Sequence, residues 1–247
     1  MKRLTVLIPA YNEEGQIENT INHVYKGLLK ESIPHEILVV NDNSSDKTPL
    51  ILKRLTKKIP TLRYITKGSP NGFGFAVRKG LEHFKGDYVV VMMADESDSV
   101  DDLVKYYRKL EEGFDCVFGS RFMRKSQITD YPKFKLVLNR MTNMFIKILF
   151  QFKLNDTTNA FKGYTREVIE GVKPILSLHF NLTVELPLKA IIRGFSYTVV
   201  PISWQNRKKG VSKLKLKEMG SRYLFIILYC FLEKLLSKGD YLKKQSF

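Results

Sequence analysis

Short, fully apolar runs that stop abruptly at polar clusters, with helical patterns between them, constrain this 247-residue chain more than any other feature. Residues 4–8 form one such run, closed by Pro9, and residues 36–40 form another, closed by Asn41, Asp42 and Asn43. Residues 87–93 (DYVVVMM) read as the strongest strand and stop at Ala94, Asp95, Glu96, Ser97 and Asp98. Residues 115–118 stop at Gly119, Ser120 and Arg121. Helical periodicity fills 14–29, 45–58 (with Asp46 as N-cap), the stretch from Gly72 and Gly74 to residue 84, and 98–112. Strands apolar on both faces, alternating with helices, predict an α/β fold with a mostly parallel sheet covered on both sides. Such sheets bind ligands beyond the carboxyl ends of their strands. Glu13, Asp42, Asp95 and Arg121 all fall just after strands, so they are expected to converge on one edge.

The second half changes character. Residues 134–152 read as a helix whose apolar residues spread around its circumference with cations between them. A polar loop at 155–159, a helix at 184–192 and a strand at 196–202 follow. A basic loop, 205–213, then leads to a last helix carrying the aromatic run 223–232 (YLFIILYCFL). Charge divides along the same line. Residues 1–120 hold 17 Lys+Arg and 17 Asp+Glu, whereas 121–247 hold 24 basic and 8 acidic residues, so the whole net charge of +16 lies in the second half. Cations mixed with apolar runs suit an anionic lipid surface. No run reaches the ~20 apolar residues that a membrane-spanning helix needs, so membrane contact is expected to be peripheral. The start resembles a signal peptide only in its first three residues and reads as a strand. Cys116 and Cys230, far apart in apolar stretches, suggest neither a disulfide framework nor a zinc site and fit a reducing compartment.

Asp95 is the strongest candidate for chemistry. A Mg²⁺ or Mn²⁺ ion takes one or two carboxylates from protein and completes its shell with phosphate oxygens and water. The competing reading is that Asp95, Glu96 and Asp98 solvate a loop or cap the next helix, and for Asp98 capping is preferred. Asp42 is either a nucleoside contact or an Asx-turn residue. The Gly72/Gly74 loop has neither Walker spacing nor a dinucleotide fingerprint, so it reads as a tight entry to a helix. Arg121 sets a guanidinium at the strand edge, where it could pair bidentately with phosphate. Arg207, Lys208, Lys209 and Lys213 form a basic loop that is either a solvated face or an anion clamp. His23, His35, His83 and His179 fit no metal or triad spacing.

Taken in order, LIPAYNEE (7–14), VVNDNSSD (39–46), MADESD (93–98), GSRF (119–122), NDTTNAFKGY (155–164) and RKKGVSK (207–213) resemble family 2 glycosyltransferases of GT-A fold. The likeness is to the dolichol-phosphate or polyprenyl-phosphate mannosyl- and glucosyltransferase branch and covers residues 3–216. It implies a GT-A domain over 1–216, with a nucleotide-binding half (1–120) and an acceptor-binding half (121–216), and a membrane-associating amphipathic helix and basic tail at 217–247. Pro9, Tyr11 and Glu13 would line the nucleotide-sugar pocket, Asp42 would contact the base, and Ala94 and Asp95 would complete it. Asp95 looks like the second aspartate of a DxD motif, with Ser97 also in the metal shell. Met93 stands where the first aspartate would be. Ser120 and Arg121 would hold an acceptor phosphate, and Arg207 and Lys213 would clamp the donor diphosphate and the acceptor.

The implied reaction is an inverting transfer of a hexose from a GDP-mannose-like or UDP-glucose-like donor to a polyprenyl or dolichyl phosphate at the cytoplasmic face of a membrane. A phosphate acceptor is already anionic, so no strong base is required. Transfer to a hydroxyl of a glycan or lipid-linked saccharide is the nearest rival and would need Glu96 or Asp98 as base. A non-catalytic basic protein that binds membrane or nucleic acid is a second rival, but it leaves the strand-end acids unexplained, and no nucleic-acid partner is expected. An integral-membrane partner or self-association remains open.

Overall fold

The computed structural model of the chain describes residues 1–206 and 216–243. Strands and helices alternate from the start: β1 (Leu4–Ala10), α1 (Ile17–Lys30), β2 (His35–Asn41), α2 (Thr48–Leu55), β3 (Leu62–Thr66), α3 (Phe73–His83), β4 (Tyr88–Val91), α4 (Val100–Glu111) and β5 (Cys116–Ser120). The second half adds β6 (Gln127–Thr129), α5 (Lys133–Phe150), β7 (Lys162–Thr165), α6 (Arg166–Gly171), α7 (Leu182–Ile192), β8 (Tyr197–Pro201), β9 (Ser203–Gln205) and α8 (Leu216–Leu236). The main sheet has seven strands in the order β3-β2-β1-β4-β7-β5-β8. β7 runs antiparallel to both its neighbours, and the other strands run parallel. The carboxyl ends of β1, β2, β4 and β5 therefore share an edge, and β7 begins there, since Lys162 pairs with Val91. A short parallel pair, β6 and β9, lies outside this sheet.

Each face of the sheet carries its own core. Leu4, Val6 and Ile8 of β1 pack with α1, α2 and α4, whereas Leu7 faces a second cluster built from α3, α5, α6, α7 and α8. That two-sided burial is why the parallel strands read as unbroken apolar runs. α8 packs along α7, and its Ile226, Ile227 and Cys230 join the second core.

Several sequence expectations need correction. The strand expected at 87–93 spans only Tyr88–Val91; Met92 N–H still donates to Leu7 O at 3.0 Å, and the acidic turn begins at Ala94. β3 and β7 were not expected, since Arg63 and Lys162 interrupt their apolar pattern. Arg63 is neutralised by Glu36 at 2.8 Å, and Lys162 is buried on main-chain carbonyls. Asp46 is not the cap of α2. Lys47 takes that position, while the Asp46 carboxylate accepts from the N–H groups of Thr48 (2.9 Å) and Glu14 (3.0 Å).

Candidate active site

The loops after β1 and β2 are zipped together. Asn12 accepts from Ser45 N–H at 2.8 Å and donates its own N–H to Ser44 Oγ at 3.0 Å. Glu13 N–H donates to Thr48 Oγ1 at 3.0 Å, and Glu14 accepts from Lys47 N–H at 2.8 Å. Pro9 is buried at the end of β1, and Tyr11 and Glu13 are half-buried just beyond it. Asp42, buried after β2, accepts from Gly72 N–H at 2.6 Å and pairs with Lys67 at 3.0 Å. The Lys67 ammonium also lies 5.4 Å from the centre of the Phe75 ring. Gly74 admits the backbone of residues 178–179, since a Cβ there would meet the Leu178 carbonyl carbon at 2.4 Å. The two glycines thus do serve a tight helix entry, and Gly72 also fixes Asp42.

The acidic turn after β4 is held at several points. Ala94 O accepts from Thr20 Oγ1 at 2.9 Å. Asp95, 6% exposed, accepts from Ser97 N–H at 3.2 Å. Glu96 adopts a left-handed conformation (φ 58°) and pairs with His23 on α1 at 3.1 Å. Asp98 does not cap α4: Ser99 does, accepting from Asp101 N–H at 3.2 Å. Asp98 is instead buried, accepting from Met93 N–H at 2.9 Å and bridging to Trp204. Burial, reinforced by the Asp95 charge, pushes the Asp98 carboxyl up to about 7 against the pull of that N–H and of Arg121. β9 is stitched to the same turn through Gln205 N–H to Ser97 O at 3.2 Å, and to α4 through Ser203 N–H to Asp102 at 2.7 Å.

Asp95 and Asp98 are both buried in this turn, and two carboxylates so placed form a donor set that suits a hard divalent cation. Met93 brings only a soft thioether to the position before them. Among the described residues no group of three or more His, Cys, Asp and Glu is gathered for a metal. The residues therefore fit an ion shared with a diphosphate rather than one caged by protein.

Arg121 and Ser120 arrive at this edge on β5, but not as free groups. The Arg121 guanidinium, 8% exposed, grips the fully buried Asp156 with Nε at 2.8 Å and Nη2 at 2.7 Å. Nη2 also reaches Thr158 at 3.3 Å, and Nη1 lies 3.4 Å from the Tyr131 hydroxyl. The rings of Phe122, Tyr131 and Trp204 stand around it at 5.6, 5.6 and 6.0 Å. Burial disfavours the charge, yet Asp156 overrides it and holds the guanidinium above its ordinary range. Ser120 Oγ donates to Asn155 Oδ1 at 2.6 Å and accepts from Phe122 N–H at 3.0 Å. The loop carrying Asp156 is itself fixed: Asn143 Oδ1 accepts from Thr157 N–H at 2.6 Å, Asn139 Oδ1 accepts from Thr158 Oγ1 at 2.6 Å, and Lys162 Nζ donates to the carbonyls of Thr157 and Asn159. Arg207 and Lys213 lie outside the described residues.

Sequence reasoning thus brought Asp42, Asp95 and Arg121 to one edge and missed Lys67, Asp156 and Lys162. One signal for Asp156 was present. A guanidinium at the end of an apolar strand needs a counter-charge, and the second half has only 8 acidic residues to supply it.

The fold is an α/β one with a mostly parallel sheet and an acidic turn at its strand ends. The chain belongs to glycosyl transferase family 2, whose pattern it matches over residues 5–172. It is 29% identical over 219 residues to the polyprenol monophosphomannose synthase of Mycolicibacterium smegmatis, covering 86% of this chain and 81% of that protein. It is 28% identical over 217 residues to the dolichol-phosphate mannosyltransferase of Pyrococcus furiosus, covering 86% of this chain but 59% of that protein. In fold it is similar to glucosyl-3-phosphoglycerate synthase from Mycobacterium tuberculosis crystallised with Mn²⁺, UDP and glucosyl-3-phosphoglycerate. That likeness has a TM-score of 0.68 at 16% identity, over 94% of this chain and 80% of that one, and it concerns the fold.

Proposed function

We propose that the protein transfers a hexose from a nucleoside diphosphate sugar to a polyprenyl or dolichyl phosphate at a membrane surface, with inversion at the anomeric carbon. An oxygen of the lipid phosphate forms the new bond to that carbon as its bond to the diphosphate breaks, and the nucleoside diphosphate leaves. The observation that carries this reading is the shared edge. Asp42 and Asp95 arrive from the neutral half and Arg121 from the basic half, with Asp98 feeling the charge of both Asp95 and Arg121.

In this reading Asp42, steadied by Lys67 and Gly72, meets the base, with Pro9, Tyr11, Glu13 and Ala94 lining the same pocket. Asp95 and Ser97 would hold a Mg²⁺ or Mn²⁺ ion, which supplies charge stabilisation for the departing diphosphate. Arg121, oriented by Asp156 through Nε and Nη2, stands beside Ser120 where the acceptor phosphate approaches and offers it the Nη1 edge, which holds no carboxylate. Arg207 and Lys213 complete the cationic clamp. The phosphate acceptor needs no base. Of the two carboxylates that could act as base for a hydroxyl acceptor, Glu96 is engaged with His23 and Asp98 is buried on Met93 N–H.

Peripheral membrane contact is supported by two helices. Phe134, Val137, Met141, Phe145 and Ile148 form an exposed stripe along α5, and Leu224, Leu228, Leu232 and Leu235 form another on α8. Apolar faces of this kind lie at the headgroup boundary, and each basic residue nearby adds ~1 kcal/mol of attraction to anionic lipid. No described helix is long and apolar enough to cross a membrane.

The test is a panel of radiolabelled nucleotide sugars incubated with polyprenyl phosphate and Mn²⁺, followed by lipid extraction. One sugar should enter the lipid phase, and Asp95→Asn should cut that transfer by about a hundredfold or more. Label that never leaves the aqueous phase, although a nucleotide sugar binds, would overturn the lipid-phosphate reading.

A further inference from the structure

The second half contains a feature to which the site described above assigns no role. Of two adjoining cavities, one lies beside the edge strand β8 and the other at the end of α5. The first, about 680 Å³, is lined by Met123, Phe152, Asn155, Tyr197 and Val199 among others. The second, about 710 Å³, continues it past Gln151, Phe152 and Lys153 to Met144, Lys147 and Ile148. The three middle residues line both, so the cavities form one groove.

Its two ends differ in chemistry. At the inner end, Asn155 accepts the Ser120 hydroxyl at 2.6 Å, one residue from the fixed Arg121 charge. At the outer end, Met144 and Ile148 belong to the exposed apolar stripe of α5. Between them the floor is apolar, since Phe152, Tyr197 and Val199 pack into the second core. Lys147 and Lys153 stand at the sides, exposed.

We propose that this groove binds the first isoprene units of the acceptor lipid, leading them from the phosphate at the β5 edge to the bilayer at α5. The inference rests on the lipid-phosphate reading and adds where the hydrocarbon lies. Polar at one end, apolar along its length and open onto an apolar helix face, the groove matches a single amphiphile with an anionic head and an apolar tail. A peptide strand added to β8 would instead need the strand edge, and its polar main chain would lie against Met123, Phe152 and Val199. The flanking lysines complement the anionic leaflet from which such a lipid enters. Volumes in this range are those of ordinary small-ligand sites.

The experiment uses the full chain and a farnesyl phosphate carrying a benzophenone on its tail, with the labelled peptides mapped by mass spectrometry. Label should fall on the peptides holding Phe152 and Tyr197, and unlabelled farnesyl phosphate, but not inorganic phosphate, should compete it away. Val199→Trp and Met123→Trp, which fill the groove, should each lower that labelling about tenfold, the scale of a lost apolar subsite. They should lower kcat/KM for farnesyl phosphate by a similar factor while leaving dimethylallyl phosphate and the nucleotide-sugar KM unchanged. Met123 is exposed, so its variant carries the test if Val199→Trp does not fold. Leu50→Trp, on the remote α2, should change nothing. Labelling at Phe152 and Tyr197 without transfer would uphold the groove and sink the transfer reading. Transfer with label elsewhere, or equal losses for both acceptors, would sink the groove and leave the reaction standing.

Discussion

Carboxylates in the two halves of the molecule answer to different partners. Around the site in the neutral half several accept main-chain N–H groups, Asp46 from Thr48 and Glu14, Glu14 from Lys47, Asp95 from Ser97 and Asp98 from Met93, while Asp42 takes Gly72 N–H together with Lys67. In the basic half they grip cations in the interior: Asp156 holds Arg121, Glu185 holds Lys189 at 2.7 Å, and Glu233 holds Arg193 at 2.7 and 2.9 Å. A carboxylate oriented by backbone dipoles is not neutralised by a side-chain cation and can serve an incoming cation or nucleotide, although burial raises Asp98 to about 7. One that neutralises an arginine gives that charge up to architecture. The difference explains how a half with so many cations can fold around an anion-binding edge: Arg121, Lys189 and Arg193 are each matched by an acid in the interior, and Lys162 is the buried cation that rests on carbonyls instead.

The harshest way to break the comparison is to strip a buried cation of its partner. Asp156→Ala leaves the Arg121 guanidinium buried among three aromatic rings with only hydroxyls to meet it. Such a loss is expected to destabilise the fold by about 3–5 kcal/mol, read from urea unfolding. The double change Arg121→Met with Asp156→Leu should recover most of that stability, because two apolar side chains replace two desolvated charges. Transfer activity should not return with it. A double variant that regains activity would mean that Arg121 serves packing alone.

That pair also marks where the sequence was readable. β1, β2, β4 and β5 were legible because each is an apolar run closed by turn residues, and the same punctuation placed Asp42, Asp95 and Arg121 at the edge. β3 and β7 were hidden because Arg63 and Lys162 break their patterns: Arg63 is compensated by a group distant in sequence, and Lys162 by carbonyls of the loop just before it, which carries no apolar signal. Glu36 is 27 residues from Arg63, and Asp156 is 35 residues from Arg121. Periodicity reports which way a side chain faces along its own element; it carries no record of a partner brought in by the sheet order. Asp98 was misread for a local reason. Asp and Ser are both good caps, and the fold used Ser99 for capping and buried its neighbour.

Lys162 sharpens the contrast at smaller amplitude. It sits at the start of β7 with its ammonium on two carbonyls rather than on a carboxylate, and burial pulls it down to about 7 despite the nearby Asp156. Below pH about 7 the side chain is charged in both folded and unfolded states, and the folded state bears the full desolvation penalty. As pH rises from there towards ~10, the folded protein releases this proton first while the unfolded chain retains its own, so stability contributed at this site increases. Lys162→Met removes the titration. The wild-type protein should therefore gain stability relative to the variant across that window, measured as urea midpoints at matched pH. Parallel curves would mean that Asp156 keeps Lys162 charged, and that the basic half neutralises every interior cation with an acid.

Ser99 tests the opposite half and should give the smallest effect. Its hydroxyl accepts one N–H at the start of α4, where Asp101 and Asp102 already favour the helix end electrostatically. Ser99→Ala should cost about 1 kcal/mol, the usual worth of an N-cap. The acidic turn beside it keeps its other ties, from Met93 N–H to Asp98 and from Gln205 N–H to Ser97, so Asp95 should stay in place and transfer should change little. Positioning shared among many main-chain bonds tolerates the loss of any one of them, whereas positioning by a single buried ion pair does not. A Ser99→Ala variant as damaged as Asp156→Ala would show that the neutral half, too, depends on a single contact, and the distinction between the halves would fall.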